Sequence, residues 1–239
     1  MPPARNTLGK RLAVILCKRT SDGTKAKLSA GDRRTLLVGL PKGRFAGLSH
    51  QLLARLGANP QEEDGDRYVL GGITFVLLKA SDCAFLLDAG ILDASVVPEE
   101  WLLEIDLTCD SSRFEVHGRC GWIQASIAWL RPLGLQLTGQ HGSLSVVTPF
   151  RGIAKSLISS EVSSSASVVH VLGSIEALVS ALNVVGLDIV ESGASARRYG
   201  LSVDVVRTNL DVVLATSAER PMTSELGNLV RLVLSAQEF

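Results

Sequence analysis

The residues best suited to chemistry stand together late in the sequence: an acid, Asp188, in the short apolar run Leu187 to Val190, and directly after it Ser192-Gly193-Ala194-Ser195. A turn of small residues that leaves a strand and opens a helix presents backbone N–H groups and hydroxyls with no bulk in front of them, which is what a phosphate needs. An acid just ahead of such a turn could hold a sugar hydroxyl or a metal ion. An ordinary Ser/Gly turn beside a solvated carboxylate would carry the same residues. A second charged spot lies far upstream, where the run Thr35 to Leu40 ends at Pro41-Lys42-Gly43-Arg44. Two cations at the C-terminal end of a buried strand sit on the edge where open α/β sheets bind ligands, and a solvated polar turn is the competing reading.

Both spots need an alternation of strands and helices to position them. After Arg44 a helix carries Phe45, Leu48, Leu52 and Leu56 on one stripe and stops at Gly57. Tyr68 to Leu70 and Ile73 to Leu78 read as a hairpin turned at Gly71-Gly72. Lys79-Ala80-Ser81-Asp82 then opens a helix ending at Gly90, with Ser81 or Asp82 as its natural N-cap. Ile91 to Val97 is a strand stopped by Pro98, and Asp93 stands near its beginning. Further strands are expected over Arg113 to Ser126, Ser143 to Val147 and Val168 to Leu172, with the serine-rich stretch 159–167 as a loop or frayed helix end. Ile175, Leu178, Val179 and Leu182 show the helical period that leads through Gly186 into the Asp188 strand. After Gly200 come two alternating runs, Ser202 to Arg207 and Leu210 to Ala215, and a helix from Thr223. This order predicts an α/β protein with a mainly parallel sheet in each of two lobes.

The totals exclude several classes of function. At 239 residues and 46% apolar content the chain can bury a full core, as one domain or two small ones. Its 24 basic and 24 acidic residues argue against a general nucleic-acid footprint. Cys17, Cys83, Cys109 and Cys120 form no CxxC pair, so neither a zinc site nor a disulfide framework is implied, and a reducing compartment fits. No apolar run approaches the roughly 18 residues that span a bilayer, so a soluble, non-transmembrane protein is expected. Residues 1–34 differ from the rest: nine of the 24 cations (Arg5, Lys10, Arg11, Lys18, Arg19, Lys25, Lys27, Arg33, Arg34) against only Asp22 and Asp32, which leaves 15 basic and 22 acidic residues beyond them. A basic, acid-poor leader is similar to a mitochondrial or plastid transit segment; a flexible tail and an arm that docks on an acidic partner compete with that reading.

Landmarks in one order resemble the catalytic domain of ATP phosphoribosyltransferase, the enzyme of the first step of histidine biosynthesis. They are Leu40-Pro41-Lys42-Gly43-Arg44; Ser81-Asp82 with Gly90 and Asp93; Thr148 with Ile153-Ala154; Gly173-Ser174-Ile175-Glu176; and Asp188-Ile189-Val190 with Ser192-Gly193 and Ser195. The likeness runs from about Thr35 to Ala218 and rests on order and spacing rather than on any single piece.

The resemblance implies a two-lobed, periplasmic-binding-protein type II-like α/β fold: a basic extension over 1–34, lobe one over 35–128 plus 202–239, and lobe two over 129–201 carrying the phosphate loop. It implies ATP and phosphoribosyl pyrophosphate as substrates, with Mg2+, and a reaction that joins adenine N1 to the ribose anomeric carbon and expels pyrophosphate. Carried over by position, Glu176 and Asp188 are the catalytic carboxylates, and Ser192, Gly193, Ala194 and Ser195 hold the 5′-phosphate. Lys42, Arg44, Lys79 and Asp93 fall on the ATP or pyrophosphate side. The chain ends soon after the returning strands, which resembles the short form of the family and implies a separate regulatory subunit related to histidyl-tRNA synthetase, a homo-oligomer or a larger assembly.

Some positions depart from the family's pattern. Lys79 replaces an arginine, Pro98-Glu99-Glu100 a Gly-Lys-Asp type turn, Pro149 a basic residue after Thr148, and Val184 the first acid of an Asp pair, whereas Ser195 keeps the hydroxyl of a threonine. Each lost charge-assisted contact removes about 1.5–3 kcal/mol from anion binding. The alternative is therefore a catalytically degraded homologue retained as a structural subunit of a larger organellar, mitochondrial complex.

Overall fold

β1 (Leu36–Pro41) is fully buried from Val38 to its end, as its unbroken apolar run demands, and it lies between β3 (Ile73–Leu78) and β4 (Ala94–Pro98), parallel to both. The computed structural model describes residues 35–58, 65–109, 113–137, 144–161 and 166–235; the basic extension at 1–34 lies outside them. β2 (Arg67–Leu70) joins antiparallel to β3 through the Gly71-Gly72 turn, where φ values of +55° and +85° need residues without a Cβ. With β5 (Phe114–Arg119) and β11 (Val212–Ser217) the strands form sheet 1 in the order β2-β3-β1-β4-β11-β5. Helices α1 (Ala46–Arg55) and α2 (Ala80–Asp88) follow the ends of β1 and β3, and α7 (Ser224–Ser235) follows β11.

Sheet 2 has a parallel half, made by β9 (Val185–Val190), β7 (Leu144–Thr148) and β8 (Ala166–His170). β6 (Ala125–Pro132) and β10 (Leu201–Leu210) extend it antiparallel, giving the order β10-β6-β9-β7-β8. One face buries Ile127, Trp129, Val146, Phe150, Ile153 and Leu187, and the other buries Leu130, Ile175, Val179, Ala196 and Leu201. Each large apolar side chain buried this way contributes about 1.5–3 kcal/mol. The helices of this part are α3 (Glu99–Thr108), α4 (Arg151–Glu161), α5 (Ile175–Leu182) and α6 (Ala194–Arg198).

The fold is α/β, in two compact units. Among the described residues, unit one takes those up to Val97, Arg113–Gly118 and those from Leu214, and unit two takes those from Pro98 to Cys109 and those between Arg119 and Val213. The expected lobe boundaries, 35–128 plus 202–239 against 129–201, are corrected by strand pairing. Ala128 and Trp129 lie within one strand, β6, which is paired to β9 (Ala128 to Asp188) and to β10 (Trp129 to Asp204), so residues 125–132 and 201–210 belong to the second sheet. Arg131 and Asp204 form an ion pair across the β6–β10 ladder, which raises the arginine further above its ordinary range.

Local details also differ from the expected pattern. The residue at the N-cap position of α2 is Lys79, with Ser81 and Asp82 already inside the first turn, because β3 runs to Leu78 and leaves no room for a longer connection. In α1 the fully buried positions are Ser49, Leu52 and Leu53; Ser49 is accommodated because its hydroxyl donates to the Pro41 carbonyl at 2.6 Å. β4 begins at Ala94, after Asp93. Glu99, part of the departing Pro98-Glu99-Glu100 turn, accepts the Asp211 N–H at 2.8 Å and pairs with Arg119 at 3.1 Å. The buried Asp211 carboxylate in turn accepts the N–H groups of Gly121, Trp122 and Ile123 at 2.7, 3.0 and 3.2 Å. Those acids tie the separate segments of unit two together. Among the described residues no helix is long and apolar enough to cross a membrane.

Candidate functional site

Because β7, β8 and β9 are parallel, their C-terminal ends share one edge of sheet 2, and each strand hands over there to a helix. β7 leads through Thr148 to α4, β8 through Gly173-Ser174 to α5 and Glu176, and β9 through Ser192–Ser195 to α6. Gly186 sits under α5, since a Cβ there would stand 2.6 Å from side-chain carbons of both Ile175 and Val179. The two-residue period of a strand places Asp188 on the same face, between Gly186 and Val190, and Val190 lies 3.7 Å from the position of a Gly193 Cβ. The α5 and α6 turns thus flank the half-buried Asp188, whose Oδ1 accepts the Ile189 N–H at 2.8 Å. Glu176 is half-buried in the first turn of α5.

The small-residue turn is open. Ser192, Ala194 and Ser195 are exposed, Gly193 has φ +68° at the N-cap position of α6, and the Ser192 hydroxyl accepts the Ala194 N–H at 3.3 Å. A first helical turn leaves N–H groups without intrahelical acceptors, and of these the Ala194 N–H turns to the Ser192 hydroxyl. The Arg197 guanidinium comes alongside: its Nη1 is 3.2 Å from where a Gly193 Cβ would be.

A neighbouring helix start at the same edge is already filled. Glu104, buried on α3, accepts the Gly152 N–H with both carboxylate oxygens (2.8 and 2.9 Å) and the Ile153 N–H at 3.0 Å, at the beginning of α4. Burial pushes its carboxyl up from the ordinary range, and the hydrogen bonds from Gly152 and Ile153 offset part of that rise. The donors at the start of α4 are thereby taken by an internal carboxylate.

Sheet 1 gathers the upstream cations. The β1–β3 register ends with Pro41 opposite Leu78, and the Lys42 N–H donates to the Leu78 carbonyl at 2.7 Å, so Lys42 and Lys79 leave the sheet at one level. Lys42 pairs with Asp66 at 2.5 Å, Arg44 lies 4.7 Å over the Phe45 ring, and Lys79 is exposed. Asp93 does not join them. It stands before β4 at the opposite end of the strands, where its carboxylate accepts the Leu37 N–H at 2.8 Å and pairs with Arg220 at 3.1 Å. Five residues separate Leu37 from Lys42, about 16 Å along a strand. The grouping of Asp93 with the cations is corrected accordingly: it is buried, and its partners give it a structural role.

A family model described as HisG, ATP phosphoribosyltransferase, matches residues 79–233, which include the whole parallel edge of sheet 2. The chain belongs to the ATP phosphoribosyltransferase family. Among curated relatives in this family, the ATP phosphoribosyltransferase of Thermus thermophilus is 29% identical over 210 residues, covering 84% of this chain and 93% of its own. That of Brachyspira hyodysenteriae is 26% identical over 173 residues, covering 70% and 81%. A solved ATP phosphoribosyltransferase (HisG:HisZ) complex from Thermotoga maritima superposes with a TM-score of 0.73 at 16% identity, over 85% of this chain and 98% of that one, which shows the shared fold. Lys42 and Arg44 precede the matched residues; Glu176, Asp188 and the Ser192–Ser195 turn lie inside them.

The structure thus brings Glu176, Asp188 and Ser192–Ser195 to one edge, and Lys42, Arg44 and Lys79 to another. Glu104 and Asp66 were not expected from the sequence. The signal for Glu104 was an acid four residues after Glu100 on the buried face of a helix; for Asp66 no local pattern existed. Among the described residues no group of three or more His, Cys, Asp or Glu side chains could hold a metal ion. Mg2+ commonly keeps several waters and binds through one or two carboxylates plus substrate phosphates, so it fits this edge as the counter-ion of a diphosphate rather than as a protein-caged ion.

Proposed function

We propose that the chain catalyses the family's reaction, the condensation of ATP with the magnesium complex of phosphoribosyl pyrophosphate. The observation that carries this reading is the convergence of Asp188, Glu176 and the open Ser192–Ser195 turn at one edge of sheet 2. The 5′-phosphate takes the N–H groups and hydroxyls of the turn, with Arg197 beside it. The carboxylates of Asp188 and Glu176 face the ribose, where positive charge grows as the bond from the anomeric carbon to pyrophosphate oxygen breaks and the bond from adenine N1 forms. Preorganised charge of this kind suits a reaction that needs alignment and electrostatic stabilisation rather than a protein nucleophile. Lys42, Arg44 and Lys79 supply positive charge to the substrates' phosphates. A regulatory protein subunit belongs to the same reading, prompted by the HisG:HisZ complex of the Thermotoga maritima neighbour. The test is magnesium-dependent pyrophosphate release by the full chain, alone and with such a subunit. Absence of turnover in both settings overturns it.

A second reading, a degraded homologue serving as a subunit of an organellar assembly, is favoured by the engagement of Lys42 with Asp66 and of Asp93 with Arg220. It predicts no calorimetric response to phosphoribosyl pyrophosphate with magnesium and stable co-purification with a large complex. The basic leader belongs to this reading and would direct a fused fluorescent reporter to mitochondria or plastids; a diffuse cytosolic reporter counts against it.

A further inference from the structure

Asp66 stands at the edge of sheet 1 that carries the cations. β2 runs antiparallel to β3 with Arg67 opposite Val76, and the Leu77 N–H donates to the Asp66 carbonyl at 2.7 Å, which fixes Asp66 beside the last residues of β3. β1 is the next strand on the other side of β3. To meet at 2.5 Å, the Lys42 and Asp66 side chains therefore reach toward each other across the end of β3, where Lys79 leaves the sheet. The Lys42 backbone is held by its bond to Leu78, and Arg44 is held over Phe45. One carboxylate consequently lies at an edge that carries Lys42, Arg44 and Lys79.

We propose that Asp66 is the built-in counter-ion of a polyphosphate site at this edge: it occupies the Lys42 ammonium until the di- or triphosphate of a substrate displaces it. This rests on the reading above that Lys42, Arg44 and Lys79 act on substrate phosphates. The pair is open to solvent, with side chains 40% and 56% exposed, so it is cheap to break. A di- or triphosphate brings several negative charges against one carboxylate and can engage more than one cation at once. Asp66 can swing out by a change at its own side-chain torsions while its backbone stays bonded to Leu77. Its effect is to lower affinity for the polyphosphate that this edge takes, whereas a residue that merely orients Lys42 would raise it.

The test is calorimetric titration of the full chain with inorganic pyrophosphate and, separately, with ATP, both with magnesium. The set is wild type, Asp66→Asn, Lys42→Gln and the double variant, with Asp66→Ser as a second replacement should the asparagine variant misfold. The expected result is about two- to fivefold tighter binding in Asp66→Asn, a gain that shrinks with added salt and disappears when Lys42→Gln is present. A gain with pyrophosphate alone assigns the site to the diphosphate, and a gain with ATP to the triphosphate; either supports the proposal. Equal or weaker binding in Asp66→Asn, or a gain that survives Lys42→Gln, overturns it while leaving the reaction above untouched. No pyrophosphate or ATP binding by any variant removes the site itself, and the proposal with it; turnover failing while this gain is present removes only the catalytic reading.

Discussion

Glu104 accepts the Gly152 N–H with both carboxylate oxygens, at 2.8 and 2.9 Å, and so an internal carboxylate caps the start of α4. Gly152 is needed for the approach, because a Cβ there would stand 2.6 Å from Thr108 and 3.2 Å from Glu104. Burial raises the Glu104 carboxyl above its unfolded value, so the folded chain keeps this proton to higher pH than the unfolded one does. That contribution to stability is complete below the unfolded value near 4.5 and is lost as pH rises through the folded one. Glu104→Gln retains an acceptor and removes the titration. Thermal melts across this range are expected to fall less with rising pH in Glu104→Gln than in wild type, and Glu104→Ala is expected to cost about 1–3 kcal/mol by orphaning the α4 donors.

Asp188→Asn tests the carboxylate itself. The amide oxygen can still accept the Ile189 N–H, so the melting temperature should stay near that of wild type. Turnover is expected to fall about 100-fold, roughly 2.7 kcal/mol of transition-state stabilisation. Steady-state pyrophosphate release, read together with the melts, separates the chemical loss from unfolding.

Gly193→Ala tests the phosphate turn. A φ of +68° costs a residue with a Cβ about 1–2 kcal/mol. The new Cβ would also meet the Arg197 guanidinium at 3.2 Å. KM for phosphoribosyl pyrophosphate is expected to rise about tenfold with a smaller change in kcat. An unchanged KM would take the 5′-phosphate away from this turn.

Asp211→Ala should be damaging although no part in substrate binding is assigned to the residue. Its buried carboxylate accepts N–H groups of three consecutive residues, Gly121, Trp122 and Ile123. Removing it orphans them at a cost of about 3 kcal/mol, or about 6–12 °C in melting temperature for a chain of this size. Differential scanning calorimetry measures this directly, and Asp211→Asn, which keeps an acceptor, should lose less.

Periodicity and turn chemistry were enough for most elements. The Gly71-Gly72 hairpin, the helix ending at Gly90 and the strand bearing Asp188 all arise from local preferences, which near neighbours in sequence can express. Lobe boundaries were not local. The expected break between Ala128 and Trp129 fell inside β6 because the assignment of a strand to a sheet depends on partners such as Asp188 and Asp204, 60 and 75 residues away.

By itself, then, the sequence determined the alternation of strands and helices, the family, and the small-residue turn behind Asp188, since each of these is written in residue types at short spacing. Tertiary structure decided which charges are available: Glu104 fills one helix start, Asp66 holds Lys42, and Asp93 is spent on Leu37 and Arg220. The physical reason is that a charge is defined by what desolvates or pairs with it. Those partners come from other strands and helices that only folding brings within a few ångströms.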